Sequence, residues 1–216
     1  MSKVIVFGAN GRTGQLVVRE ALSLGHDVTA AVREPARWQQ PPTVEGSPGT
    51  GKSNVVRADV RDADSVRSAV EGHDVVVSAI GPPGRHAHGL YSDAARALVS
   101  GMEGAGVPRL IAITSGGVHH RDPNFPWWYR NLVTPLVREL YDDMRLMETI
   151  VRRSAVDWTF VRPARLQDEP PTGNYRVLDA SNPRGGRKVT RTDLARFIAR
   201  ELDEHRWSHA APTLAE

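Results

Sequence analysis

Val4-Ile5-Val6-Phe7 runs directly into Gly8-Ala9-Asn10-Gly11-Arg12-Thr13-Gly14, and this junction limits what the chain can fold into more than any other feature. Four consecutive apolar residues, three of them β-branched, read as a strand buried on both faces, the situation of a strand inside a parallel sheet. Beyond the glycines, Leu16, Val17, Ala21 and Leu24 recur at helical spacing from Thr13 to Leu24, and Gly25 stands where a helix C-cap glycine belongs. The unit is strand, glycine turn, helix. Such a turn brings backbone N–H groups and the positive helix N-terminus close to a pyrophosphate with no Cβ in the way. Its spacing, Gly-x-x-Gly-x-x-Gly, is one residue longer than Gly-x-Gly-x-x-Gly, so the flanking strand and helix carry the reading as much as the glycines do.

The alternation continues. Asp27 to Val32 reads as a second strand, Asn54 to Ala58 as a third and Asp74 to Ala79 as a fourth, with a helix near Ala63 to Glu71. A helix from Gly89 to Ala105 precedes strand Arg109 to Ile113, and a long helix from about Val137 to Arg153 precedes strand Trp158 to Val161. Six strands in βα order predict an α/β fold, a Rossmann-type doubly wound parallel sheet. The segment Asn174 to Val189 holds two short strand candidates, Tyr175 to Leu178 and Arg187 to Val189, and reads as a small substrate-side extension. Thr190-Arg191-Thr192-Asp193 looks like the cap of a last helix through Leu202. One domain is expected over 1–204, with a patternless tail over 205–216.

A chain of 216 residues, 40% of them hydrophobic, can bury a core without covalent staples, and it has no cysteine. Disulfides and thiolate chemistry are therefore excluded. The apolar run before Gly8 is too short for a signal segment or a membrane span, so a cytoplasmic address and no membrane partner are expected. The formal charge of +3 comes from bases interspersed with acids, which gives little reason to expect nucleic acid. Only Lys3, Lys52 and Lys188 are lysines, so nearly all the basic charge is arginine.

The end of the second strand selects the cofactor, because an acid there suits the ribose 2′-hydroxyl of NAD and an arginine suits the 2′-phosphate of NADP. Arg33 holds that place. With Arg37 four residues on and Arg12 inside the turn, three guanidiniums are expected to converge on a dianionic phosphate, favouring NADP(H). Gly46-Ser47-Pro48-Gly49-Thr50-Gly51-Lys52-Ser53 also satisfies the P-loop pattern, but no core strand precedes it and a strand follows it. It is read as a surface loop within Gln39 to Ser53.

These residues resemble the atypical short-chain dehydrogenase/reductases, specifically the NAD(P)H-binding group with NmrA-like proteins and biliverdin-IXβ (flavin) reductases. The similarity covers most of the chain and rests on Val6 to Gly14, Val32-Arg33, Ala58-Asp59-Val60, Ala79-Ile80-Gly81, Ile113-Thr114-Ser115, Thr159 to Pro163 and Pro171 to Tyr175. The resemblance implies that Asp59 and Val60 border the adenine, that Ala79, Ile80 and Gly81 lie along ribose and pyrophosphate, and that Ser115 and Pro163 adjoin the nicotinamide. Each of these positions also falls at the carboxyl end of an expected strand, where open α/β sheets bind ligands. Asp59 has a second reading, as a turn residue capping the next helix.

Members of the wider superfamily use a Tyr-x-x-x-Lys pair. None of Tyr91, Tyr129, Tyr141 and Tyr175 has a lysine four residues later; Tyr141 has Arg145 there, and Met144 occupies the place that atypical members usually give to lysine. Tyr141 is thus an acid candidate, or a solvent-facing or packing tyrosine, while Ser115 is the expected polar contact to nicotinamide or substrate. Pro82 to His88, His119 to Tyr129 and Arg165 to Tyr175 should form the substrate side. Within them Phe125, Trp127, Trp128 and Tyr129 suit a flat aromatic ligand, or equally a lid, core cluster or dimer contact. His86 with His88 and His119 with His120 have no acidic or sulfur partner at a ligand spacing nearby, so no metal is expected. The expected activity is NADPH-dependent reduction of a planar aromatic or quinonoid substrate such as a flavin, a quinone or a polycyclic biosynthetic intermediate, by a monomer or homodimer. The alternatives are a non-catalytic NADP(H)-sensing regulator and a cofactor-binding isomerase or cyclase.

Overall fold

Residues at alternate positions of each strand point to opposite faces, and over residues 4–7, 75–77 and 110–113 both sets are apolar and buried. Such strands need cover on both sides. The computed structural model, which describes residues 1–42, 51–84, 86–119, 122–124, 131–132 and 134–216, supplies it with helices. The elements are β1 (Lys3–Phe7), α1 (Arg12–Ser23), β2 (Asp27–Val32), β3 (Ser53–Arg57), α2 (Ala63–Val70), β4 (Val75–Ser78), α3 (Leu90–Ala105) and β5 (Arg109–Ile113). They continue with the short α4 (Thr134–Leu136), then α5 (Arg138–Arg152), β6 (Asp157–Pro163), β7 (Arg165–Gln167), β8 (Arg176–Asp179), β9 (Lys188–Thr190), α6 (Arg191–Glu204) and β10 (Pro212–Ala215).

The main sheet runs β3-β2-β1-β4-β5-β6-β10-β8. All pairings through β10 are parallel and β8 closes the edge antiparallel to β10. β7 and β9 form a separate parallel pair. On one face Val4, Val6, Val28, Ala30, Val75, Val77 and Ile111 pack under α1 and α6. On the other, Ile5, Phe7, Val76, Leu110, Ala112 and Phe160 pack under α2, α3 and α5. The sheet is doubly wound as expected, and its strand order reverses between β1 and β4, the position at which such sheets open a crevice beyond their carboxyl ends.

Local signals set the ends of the first helix. α1 stops in a Schellman arrangement: Gly25, with φ of 87°, donates to the Leu22 carbonyl at 3.0 Å and His26 donates to Ala21 at 3.2 Å. The P-loop lookalike lies partly outside the described residues. Its last residue, Ser53, begins β3, so a strand follows where a phosphate loop needs a helix. The Lys52 amide donates to the Asp27 side chain at the start of β2, which places it at the amino edge of the sheet, opposite the glycine turn.

The expectation of a patternless stretch after Glu204 is corrected. Pro212–Ala215 is a fully buried strand inserted between β6 and β8, with Leu214 opposite Pro163 on one side and Val177 on the other. Its sequence hides it, since Pro212 and Ala215 have little strand propensity and its burial comes from two neighbours distant in the chain. Pro212 sits at the first strand position, where a missing N–H is tolerated. Leu214 is completely buried. Leu214→Ala should therefore lower the unfolding free energy by about 2 to 5 kcal/mol in urea denaturation; a loss below about 1 kcal/mol would mean that this strand is no part of the core.

Candidate functional site

The glycine turn leaves the carboxyl end of β1 beside the end of β4, and there is no space for a side chain at Gly8 or Gly14. Gly8 has φ of 78°, and a Cβ on it would stand 2.6 Å from the Ala79 carbonyl oxygen. A Cβ on Gly14 would stand 2.2 Å from the Gly8 oxygen, so the first turn of α1 rests on the backbone that precedes it. Gly11 closes the loop by donating to Gly8 at 2.9 Å and serves as N-cap. No side chain caps α1 and no acidic residue lies in its first turn. Its amino end therefore presents amide donors and positive dipole to the crevice, a cradle whose donors suit an anion and whose tightness suits close approach of a pyrophosphate. Asn10, Gly11 and Arg12 are exposed there, and Thr13 is half-buried.

The remaining expected residues line the same carboxyl edge. Arg33 directly follows β2, is exposed, and has no hydrogen bond or ion pair with a described residue. Arg37, in a single 3₁₀ turn, places its Nε 2.9 Å from Glu34. Arg12 does not join them: its guanidinium pairs with Asp168, which Arg191 also holds at 2.7 Å. The convergence of three arginines is thus corrected to Arg33 and Arg37 near β2 and Arg12 drawn away by a carboxylate. Asp59 and Val60 follow β3. The Asp59 carboxylate accepts from the Arg61 amide at 3.0 Å, while the cap of α2 is Asp62, which accepts from Asp64 and Ser65. Ala79 extends the β4 pairing by donating to Phe7 at 2.9 Å, and Ile80 and exposed Gly81 lead away from it.

Ser115 and Pro163 end adjacent strands, and a buried ion pair lies behind them. Glu148 of α5 accepts from the Thr114 hydroxyl and from Arg162 Nε, both at 3.0 Å, with Arg162 Nη2 on its other oxygen. All three side chains are buried. Since Thr114 immediately precedes Ser115 and Arg162 immediately precedes Pro163, this fork fixes the two residues expected at the nicotinamide relative to each other. Half-buried Ser115 accepts from the Gly117 amide at 3.2 Å, leaving its own hydroxyl proton to donate elsewhere. Tyr141 of α5 lies against that turn: a Cβ on Gly117 would come within 2.2 Å of its ring. Tyr141 is buried rather than solvent-facing. Arg145 donates to the Val118 carbonyl at 3.0 Å and pairs with Asp142.

Loops on the substrate side are tied down by carboxylates that sequence spacing did not reveal. Glu139 takes a 2.6 Å hydrogen bond from His86 and one from the His88 amide, so the histidines do have an acidic neighbour, from α5. These contacts hold the Glu139 carboxyl below its ordinary value. Buried Asp122 lies 3.5 Å from His119 and links two loops by accepting from the Asn182 amide at 2.6 Å and the Asn124 amide at 2.8 Å. Burial pushes its carboxyl up, but these donors outweigh burial and hold it below the usual carboxylate range. Among the described residues no three His, Asp or Glu side chains gather as metal ligands. His120 and the aromatic run Phe125 to Tyr129 lie outside the described residues.

Sequence reasoning set Tyr91 aside because no lysine follows it, yet it lies beside Gly81. Its hydroxyl lies 3.8 Å from where a Cβ on Gly81 would be. Burial first, and the Asp143 charge second, push the phenol far above its ordinary value and keep it protonated. Asp143 is also the cap of α3, accepting from the Tyr91 and Ser92 amides at 2.9 and 3.2 Å. With Ala95 four residues on, Tyr91 lacks the lysine that would have drawn attention to it.

Residues 8–205 match the protein family described as NAD(P)H-binding. The chain is 27% identical over 221 residues to the uncharacterized protein YwnB of Bacillus subtilis (strain 168), covering 94% of each. Among solved structures, a short-chain dehydrogenase/reductase from Veillonella parvula DSM 2008 in complex with NADP superposes with a TM-score of 0.81 at 16% identity, over 100% of this chain and 95% of that one. ChuY, an anaerobilin reductase from Escherichia coli O157:H7, does so with a TM-score of 0.79 at 22% identity, over 99% and 97%. At these identities the two structures share the fold. Among the described residues no helix is long and apolar enough to cross a membrane.

Truncating Glu148 would strand a buried guanidinium and a buried hydroxyl together. Glu148→Ala should lower the unfolding free energy by about 3 to 5 kcal/mol, read by chemical denaturation; a loss under about 1 kcal/mol would contradict the bracing role.

Proposed function

The chain belongs to the NAD(P)H-binding family, and we propose that it is an NADPH-dependent oxidoreductase that reduces a planar aromatic or quinonoid substrate, such as a flavin, a quinone or a polycyclic biosynthetic intermediate. The observation that carries this reading is the glycine turn, whose backbone closes too tightly for any Cβ at Gly8 or Gly14 and whose helix is left uncapped at the strand-order reversal. Gly8, Asn10, Gly11, Thr13 and Gly14 would cradle the pyrophosphate through backbone donors. Arg33, unpaired among the described residues and standing where an acid would select NAD, would take the 2′-phosphate with Arg37 beside it. Asp59 and Val60 would border the adenine, and Ala79, Ile80 and Gly81 the ribose and pyrophosphate.

Bound NADPH supplies a hydride. Ser115 would donate a hydrogen bond to nicotinamide or substrate, held in place by the Gly117 amide behind it. Pro163 shapes the same wall, braced by the Glu148 and Arg162 fork. Tyr141 buttresses the turn that carries Ser115, and the one proton that completes the hydride reduction would come from solvent, since the chain has no Tyr-x-x-x-Lys pair. That missing pair also favours a second reading, a non-catalytic NADP(H)-sensing regulator.

Titration with NADPH and NADH, followed by NADPH oxidation with flavin and quinone acceptors, separates the two. Acceptor-dependent oxidation is the expected result; tight binding with no oxidation by any acceptor would favour the sensor, and conversion of a substrate without net NADPH loss would indicate an isomerase. Arg33→Asp should weaken NADPH by about ten- to a hundredfold relative to NADH. An equal loss for both nucleotides would overturn the 2′-phosphate assignment.

A further inference from the structure

One carboxylate, Asp168, is held by the first residues of two different helices. Arg12 begins α1 and pairs with it from the glycine turn; Arg191 begins α6 and places Nη1 2.7 Å from Oδ1. α1 and α6 lie on the same face of the sheet, and their residues share one apolar cluster. Two guanidiniums from separate elements meeting at one point, one of them in the turn itself, form an anion clamp, and the anion that fills it belongs to the chain.

The charges do not balance. Two cations face one carboxylate, which leaves net positive charge at the mouth of the turn. Burial, and then the nearby Arg12 charge, pull the Arg191 guanidinium below its ordinary value, as expected for like charges held together. An anion of higher charge would fit this clamp better than Asp168 does. Asp168 is about half exposed, at 48%, whereas Arg191 is 17% exposed, so the carboxylate can turn out to water while the arginine stays.

Direction selects which phosphate is concerned. Arg33 and Arg37 stand at the end of β2, on one side of β1. Asp168 follows β7 and Arg191 follows β9, whose residues Lys188 and neighbouring Arg187 bond to Glu216 at the end of β10, beyond β6 on the other side of β1. A pyrophosphate held over the amino end of α1 would be the cofactor group within reach of an arginine that begins that helix and is turned away from β2.

We propose that Asp168 is a tethered stand-in for the cofactor pyrophosphate: on dinucleotide binding, Arg12 and Arg191 exchange the Asp168 carboxylate for pyrophosphate oxygens. This makes Arg191 a cofactor-binding residue and Asp168 an internal competitor that weakens affinity for any dinucleotide. It rests on the reading of the glycine turn as the dinucleotide site. No covalent change is involved; one charge-assisted pairing replaces another, and the carboxylate is released to solvent.

Asp168→Asn removes the competitor while keeping the shape of the side chain. Titration of tryptophan fluorescence with NADPH and with NADH should show both binding about two- to fivefold more tightly than to the unsubstituted protein, the size of a partly exposed ion pair. Arg191→Gln should weaken both. Unchanged or weaker binding of both nucleotides to the Asp168→Asn protein would overturn the exchange, and a gain confined to NADPH would overturn the pyrophosphate assignment. Failure of the unsubstituted protein to bind either nucleotide would instead defeat the dinucleotide reading itself, so the two failures are distinguishable.

Discussion

The close approach of Gly8 to the Ala79 carbonyl is the contact on which the rest of the site depends. It lets β1 and β4 lie side by side to their ends while the chain turns away between them, and it lets Gly14 bring α1 down onto the turn. A side chain at either glycine would have to displace backbone, which cannot yield as a flexible side-chain tip can. Because the strand order reverses at this point, the amino end of α1 opens into a crevice and stays uncapped by the chain's own side chains. An uncapped helix terminus at such a place is a deficit that an anionic ligand can fill.

The carboxyl edge from β4 to β6 is braced by α5. Glu148 clasps the ends of β5 and β6, Asp143 caps α3, Glu139 holds the loop after β4, and the Tyr141 ring covers Gly117. One helix thus sets the positions of residues from three strand ends. Ser115 and Pro163 are placed by a network whose charged members are buried and mutually satisfied, which favours a rigid wall over an adaptable one. Of the loops expected on the substrate side, that of His86 and His88 is held by exposed Glu139 of α5, a weaker kind of contact, and those of Asn124 and Asn182 by buried Asp122.

The architecture was legible in the sequence because its signals are local. β1, the turn and α1 declare themselves within Lys3 to Gly25, and the alternation of apolar runs carries the order of the next five strands. What was not legible depends on contacts between distant segments. β10 is a strand only because β6 and β8 flank it, and Pro212-Thr213-Leu214-Ala215 has no periodicity of its own to reveal that. The arginines show the same limit: spacing could place Arg12 near Arg33, but only the fold brings Asp168 and Arg191 to Arg12. The acidic partner of His86 likewise comes from a distant element, α5, and Tyr91 gave no motif to find.

A crystal structure of the protein with NADP⁺ tests the central claim most directly. The account predicts the pyrophosphate over the amino end of α1, against the amides that follow Gly11, with the adenosine 2′-phosphate on Arg33. Nucleotide bound away from the glycine turn, or a turn left empty beside nucleotide held elsewhere on the molecule, would contradict it.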